Sequence, residues 1–370
     1  KNSICNLSGS SASSSVNGLL VSGGTLVNVF NNLIGDLRAP IANAANPVNG
    51  LNITGGTTVN ASFNTVRIAA TSAGLLFGSS AVSVSTTPTV TLRNNIFVNL
   101  GTANGAAFTA AHRRSTTTLT SYGATSNNNL FFAGTPGATN VIYFDGTNND
   151  QTLAAYKLRV SARDNGSVTE NPPFLSTTCG NSNFLHIDPS IATQVESGGS
   201  PVAGITDDFD GNTRNVSTPD IGADEGAFLL SDVSGPTISY TLFSNAACLT
   251  DRTLAPVTIT DASLVDITAG TRPRLYYKKA GNANTFVDNT SGTDGWKFVE
   301  ATGAGSSPFS FTTNYSLLFG GAPVVGDVIQ YFVVAQDQNG IPNIGIKSGT
   351  FAVAPTSVAL TAGAFPLTGV

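Results

Sequence analysis

An asparagine ahead of an apolar step recurs through the first third of the chain at an almost constant interval. The marks are Asn2-Ser3-Ile4-Cys5, Asn32-Leu33-Ile34-Gly35, Asn64-Thr65-Val66-Arg67, Asn95-Ile96-Phe97-Val98 and Asn129-Leu130-Phe131-Phe132, so successive asparagines stand 30, 32, 31 and 34 residues apart. Periods of about 20–50 residues signal stacked structural units. Between the marks lie Leu26 to Phe30, Val59 to Phe63 and Thr89 to Arg93, which brings each unit to about three strands. A parallel β-helix accounts for this: coils stack at about 4.8 Å and each strand pairs with its counterpart in the next coil. Buried asparagines at one corner can bond the turn backbone and each other, so Asn32, Asn64, Asn95 and Asn129 are expected to form a ladder, with Asn2 in the same series.

The pattern breaks after Val141. Gln151 to Lys157 reads as one short helix, and Asn171-Pro172-Pro173 cannot be an internal strand because proline donates no ladder hydrogen bond. Residues 141–228 are therefore expected to be irregular last coils that cover the open end of the stack. They end on Asp207-Asp208-Phe209-Asp210-Gly211-Asn212-Thr213-Arg214, then Thr218-Pro219-Asp220-Ile221-Gly222-Ala223-Asp224-Glu225, where turn formers surround a short apolar step. Asp208, Asp210, Gly211, Arg214, Asp220, Ile221, Gly222, Ala223 and Glu225 match D-x-D-G-x-x-R followed by D-I-G-A-x-E. This resembles the closing segment of right-handed parallel β-helix domains in large secreted proteins of the Bacteroidota. The resemblance implies a secreted, cell-surface protein of the kind exported by the type IX secretion system.

A linker, 229–235, leads to a second pattern at 236–353. Candidate strands there are Pro236–Thr241, Val257–Asp261, Arg274–Lys279, Trp296–Ala301, Phe309–Thr312, Val328–Gln336 and Lys347–Val353, with Gly- and Asn-rich turns between them. That is the spacing of a β-sandwich. The run Gln330 to Gly340 resembles a late strand and turn of bacterial immunoglobulin-like modules. Residues 354–370 read as a linker toward a further module, and Lys1, which opens inside a strand pattern, as a start within a longer precursor. The expected fold class is all-β: a right-handed parallel β-helix, 1–228, followed by an immunoglobulin-like β-sandwich.

Charge decides much of the chemistry. Charged residues make up 11% of the chain and the net charge is −5, which leaves no basic footprint for nucleic acid. Apolar runs are too short to span a bilayer as helices. Glycoside hydrolysis needs paired carboxylates, and calcium-assisted elimination needs clustered acids with a base. Asp36 is the one acid among the first 140 residues, so no catalytic residue is assigned on the coil faces. His112-Arg113-Arg114 reads as a solvated basic loop, with a lyase base cluster as the alternative. His186 stands beside Asp188 and Pro189 and reads as part of a turn. Asp208, Asp210 and Asn212 look like part of a calcium loop, but the last position of a full loop falls on Pro219, so turn geometry is the preferred reading and no cofactor is assigned. Cys5, Cys179 and Cys248 are odd in number and widely spaced, which favours buried free thiols over a Cys179–Cys248 bridge.

The expected function is structural or adhesive: a stiff extracellular stalk that presents or spaces binding modules, with surface or secretion-machinery proteins and glycans as partners. The alternative is a polysaccharide lyase or glycoside hydrolase whose active site lies in coils upstream of Lys1.

Overall fold

The structure is a computed structural model that describes residues 1–348 apart from 246–249, 287, 303–304 and 340–341. It divides into two compact units, Lys1–Ser231 and Asp232–Val370. No helix among the described residues is long and apolar enough to cross a membrane.

The first unit is a parallel β-solenoid of about five turns. One sheet holds Asn2–Ile4, Asn32–Gly35, Thr65–Ile68, Ile96–Asn99 and Leu130–Phe132, each paired in parallel with the strand one coil away. A narrow sheet holds Leu26–Phe30, Thr58–Ser62 and Thr89–Arg93. A wide sheet holds Val16–Ser22, Ala44–Gly55, Phe77–Val84, Thr109–Arg114 and Asn140–Phe144 in parallel, with Asn149–Asp150 added antiparallel at its end. Alternation along each strand sends one row inward. Ile34, Val66, Phe97 and Phe131 from the first sheet meet Val59, Val90, Val48 and Val82 from the other two in one continuous core.

The two halves of 141–228 do different things. The helix Leu153–Val160 buries Tyr156 and Val160 in the core beside Phe131, Ile142 and Tyr143, so it caps the last coil. Its N-cap is Thr152, whose hydroxyl accepts from Ala155 N. The remainder, from Val168, does not cover the end as the sequence led us to expect. It runs back along the outer face of the five-stranded sheet. Val168 bridges Leu130 on the last coil, and Cys179 is bonded to Cys5 on the first. The chain then doubles back to Asn128 at Gly198 and returns to Asn31 at Asp207. The reason is apolar surface: Leu33, Ile96, Val98 and Leu130 project outward, and Phe184, Leu185, Ile187, Val195, Ile221 and Ala223 bury them. We call 168–228 the arm.

The second unit has two antiparallel sheets. One holds Thr237–Tyr240, Thr253–Thr260 and Phe309–Thr312; the other holds Lys297–Glu300, Arg274–Lys279, Ile329–Gln336 and Ile344–Ser348. Leu275, Tyr277, Tyr331 and Val333 from the larger sheet pack with Ile238, Val257, Ile259, Phe309 and Phe311 from the smaller. Their neighbours Tyr276, Phe332 and Val334 point the other way and are covered by Phe286 and Trp296. The expected strand Lys347–Val353 starts earlier, at Ile344, and residues beyond 348 lie outside the described chain.

Candidate functional site: the corner ladder, the arm and a side groove

The asparagine marks meet at one corner of the coils. Asn2 Nδ2 donates to Asn32 Oδ1 at 2.8 Å, Asn32 to Asn64 at 2.8 Å, Asn64 to Asn95 at 2.9 Å and Asn95 to Asn129 at 2.9 Å. Each buried rung also serves backbone: Asn64 Nδ2 reaches Val29 O and Ser62 O, and Asn95 Nδ2 reaches Ala61 O and Arg93 O. The row has one direction, and it ends on Asp164. That carboxylate accepts from Asn129 Nδ2 at 3.0 Å, Ser167 Oγ at 2.7 Å, Tyr156 Oη at 2.6 Å and Tyr122 Oη. Asp164 was not singled out in the sequence. The hint was its Asp-Asn-Gly context, which suits its left-handed φ of 55°.

The residues just before the rungs form a second row that sequence reasoning missed. Asn31, Phe63, Asn94 and Asn128 all take left-handed backbone, with φ of 54°, 56°, 56° and 57°. This turns the chain sharply between the narrow sheet and the five-stranded one. Asn adopts that conformation at little cost, whereas Phe63 bears strain of about 1–2 kcal/mol. The side chains of this row hold the arm: Asn31 Nδ2 donates to Asp207 O, Asn94 Nδ2 to Ser200 O at 2.7 Å and Asn128 Nδ2 to Gly198 O at 2.9 Å. Phe63 cannot donate, and there the arm supplies Arg214 instead, its guanidinium 3.9 Å above the ring. The doublets Asn31-Asn32, Asn94-Asn95 and Asn128-Asn129 were the readable signal.

The closing motif fastens the arm to itself and to the coils. Asp208 Oδ1 accepts from Gly211 N and Asn212 N, and Oδ2 from Asn212 Nδ2 and Glu225 N. Four donors fill the lone-pair directions of that carboxylate. Asp210 turns away to His186, Nε2 to Oδ2 at 2.6 Å. Asp208, Asp210 and Asn212 therefore do not converge as cation ligands, and Gly211 serves the turn with φ of 100°. Arg214 is buried, pairs with Glu225 at 3.0 Å and donates to Asn31 Oδ1 and Gly222 O. Asp220 accepts from Ser197 N and Gly226 N, and burial raises its pKa to about 7 despite those bonds. Gly222, at φ 98°, lies where a Cβ would stand 2.5 Å from Ile96 Cδ1.

Two sequence readings are corrected. Cys5 and Cys179 form a disulfide with Cα atoms 5.7 Å apart; the arm brings together residues 174 positions apart, which spacing alone cannot show. Cys248 lies outside the described residues. His112-Arg113-Arg114 is part of the strand Thr109–Arg114, not a solvated loop. His112 and Arg114 are buried, and His112 Nδ1 lies 3.1 Å from Tyr156 Oη. Burial and the neighbouring Arg114 charge hold the His112 pKa well below its ordinary value, so it stays neutral. His186 does lie in a turn, its N donating to Asn183 O, and its ring has partners of its own. Its Nδ1 faces Phe184 O and its Nε2 faces Asp210, both acceptors, so the ring bonds both only as an imidazolium. Burial opposes that charge, but the Asp210 hydrogen bond with the Asp224 and Asp210 charges outweighs it and the pKa is raised.

Among the described residues two sets place three potential metal-ligand atoms within 4.8 Å of one another: His186, Asp210 and Asp224, and Asp232, Asp261 and Asp337. In both, protein donors already engage carboxylate oxygens: Ile187 N binds Asp224, and the Asn339 and Asn343 amides bind Asp337. A groove of about 430 Å3 opens beside the narrow sheet, between Asn28, Phe30, Asn60, Thr91 and Arg93 on the coils and Val202–Ile205 of the arm. No family model matches the chain, and neither does any curated protein or solved structure.

Proposed function

We propose that this chain is part of a secreted, cell-surface structural or adhesive protein, a stiff stalk that presents or spaces binding modules. One observation carries the reading: the arm lashes the coils lengthwise, with separate contacts to Asn31, Phe63, Asn94 and Asn128 and a disulfide to Cys5. A solenoid held only by neighbour contacts yields coil by coil, whereas coils tied together lengthwise by one arm share a load among them. A disulfide also suits an oxidising, extracytoplasmic compartment. The finer parts of the reading are an immunoglobulin-like second unit and export of the Bacteroidota type IX kind. They rest on the resemblance of Asp208 to Glu225 and of Gln330 to Gly340 to such proteins.

In the closing motif Asp208 is engaged with backbone amides and Glu225 with Arg214, which favours a structural role for these two over acid–base work, while Asp210 pairs with His186. Two measurements test the function. An antibody to this chain is expected to label intact producing cells; labelling only after permeabilisation would sink the surface assignment. Incubation with acidic and neutral polysaccharides, with and without calcium, is expected to show no turnover. Turnover abolished by Asp208→Ala or Asp210→Ala in a folded variant would put the lyase or hydrolase reading first.

A further inference from the structure

The groove beside the narrow sheet has a regular chemistry. Parallel register places Asn28, Asn60 and Thr91 in one row across three coils, and Phe30, Ser62 and Arg93 in the row beside it. Rungs of a row repeat at the coil spacing of about 4.8 Å. Asn60 Nδ2 donates to Asn28 Oδ1 at 3.0 Å, which orients both amides. Among the described residues Asn28 Nδ2 and Asn60 Oδ1 then have no protein partner, which leaves one donor and one acceptor aimed outward. Phe30, in the row beside them, adds a half-buried aromatic side chain to the lining, and Val202 and Ile205 line the arm side. That wall is built in: Arg93 Nη2 donates to Ser200 Oγ at 2.9 Å and to Pro201 O at 3.1 Å. The volume of about 430 Å3 lies within the usual range for small-ligand clefts, about 300–1,000 Å3.

We propose that this groove binds a segment of an uncharged polysaccharide lying along the coil axis. Carboxamides and hydroxyls in register with the coils match a polymer whose hydroxyls also repeat, and an aromatic face packs against the apolar side of a sugar ring. The lining holds no carboxylate and one guanidinium, and that guanidinium already braces the wall. A polymer with a charge on every sugar would find no matching row of cations. The inference names the ligand of the adhesive role proposed above and rests on that reading.

The test is affinity electrophoresis of the full chain in gels containing hydroxyethyl cellulose, galactomannan, laminarin, polygalacturonate or a polyproline peptide conjugate. Retardation is expected with at least one of the three neutral polysaccharides. The double variant Asn28→Ala/Asn60→Ala should weaken that binding by at least about tenfold, equivalent to about 1.4 kcal/mol, with an unchanged melting midpoint. Phe30→Ala should weaken it also, while Leu26→Ala, exposed outside the groove, should not. Retardation by no neutral polymer, by polygalacturonate or the peptide alone, or equally in the double variant would overturn the proposal. Surface labelling is read separately, so a failure here is distinct from a failure of the stalk assignment.

Discussion

A single ladder amide does several jobs at once, so its loss is costly. Asn95 accepts from Asn64 N and Nδ2 and shares its two amide hydrogens among Ala61 O, Arg93 O and Asn129 Oδ1, all but the Arg93 bond fully buried. Asn95→Ala strands several of these groups, each worth about 1–3 kcal/mol when left unpaired. The expected loss is about 3 kcal/mol or more in urea unfolding, against about 0.5 kcal/mol or less for Asn60→Ala on the open face. A loss near zero at Asn95 would mean that the row carries no load. The rungs were legible in the sequence because an asparagine ahead of an apolar step recurs at a nearly constant interval. The corner row was not, because Phe63 breaks it, and a phenylalanine in left-handed backbone is what propensity argues against. Its compensation, Arg214, sits 151 residues later, where no local rule could pair the two.

The arm, as an element, is held at points that can be probed separately. Gly222→Val puts a branched side chain where even a Cβ has no room, at a backbone angle that valine rarely takes. It should free the arm and leave the coil core intact, seen as rapid proteolysis within 168–228 without loss of the β-sheet signal. Acidity acts on the same element. Asp220, pushed up to about 7 by burial, Asp224, raised by burial, and His186, raised above its ordinary value, all bind protons more tightly in the folded state. For a raised pKa the stabilisation is full below the unfolded value and is lost as pH climbs through the folded one. Arm attachment should therefore weaken between about pH 4 and 8, read as falling protection of the Ile187, Ser197 and Gly226 amides relative to their intrinsic exchange rates at each pH, and His186→Gln should remove part of the effect. Protection that rises over this window would contradict the sign. The sequence showed the composition of the closing motif. It did not show that the motif packs sideways, because outward-facing apolar residues in a buried strand look the same as inward-facing ones.

At the scale of the whole molecule, the two units carry different covalent constraints. Cys5 and Cys179 both lie in the first, which leaves the second with a single cysteine. Reductant should lower the unfolding transition of the first unit by about 2–4 kcal/mol and leave that of the second unchanged in calorimetry. A shift in both would show that they unfold together. The arm also bears on ancestry. A ladder tolerates duplication, since a new coil would slot between two rungs and find the same bonds on either side. The arm does not, since an extra coil would carry Cys5 one step beyond Cys179 and slide Asn31 past Asp207. It therefore works as a tally stick notched for the turns between its own contact points, Asn31 and Asn128. Lineages that gain or lose a coil between these points should show a matching change in arm length.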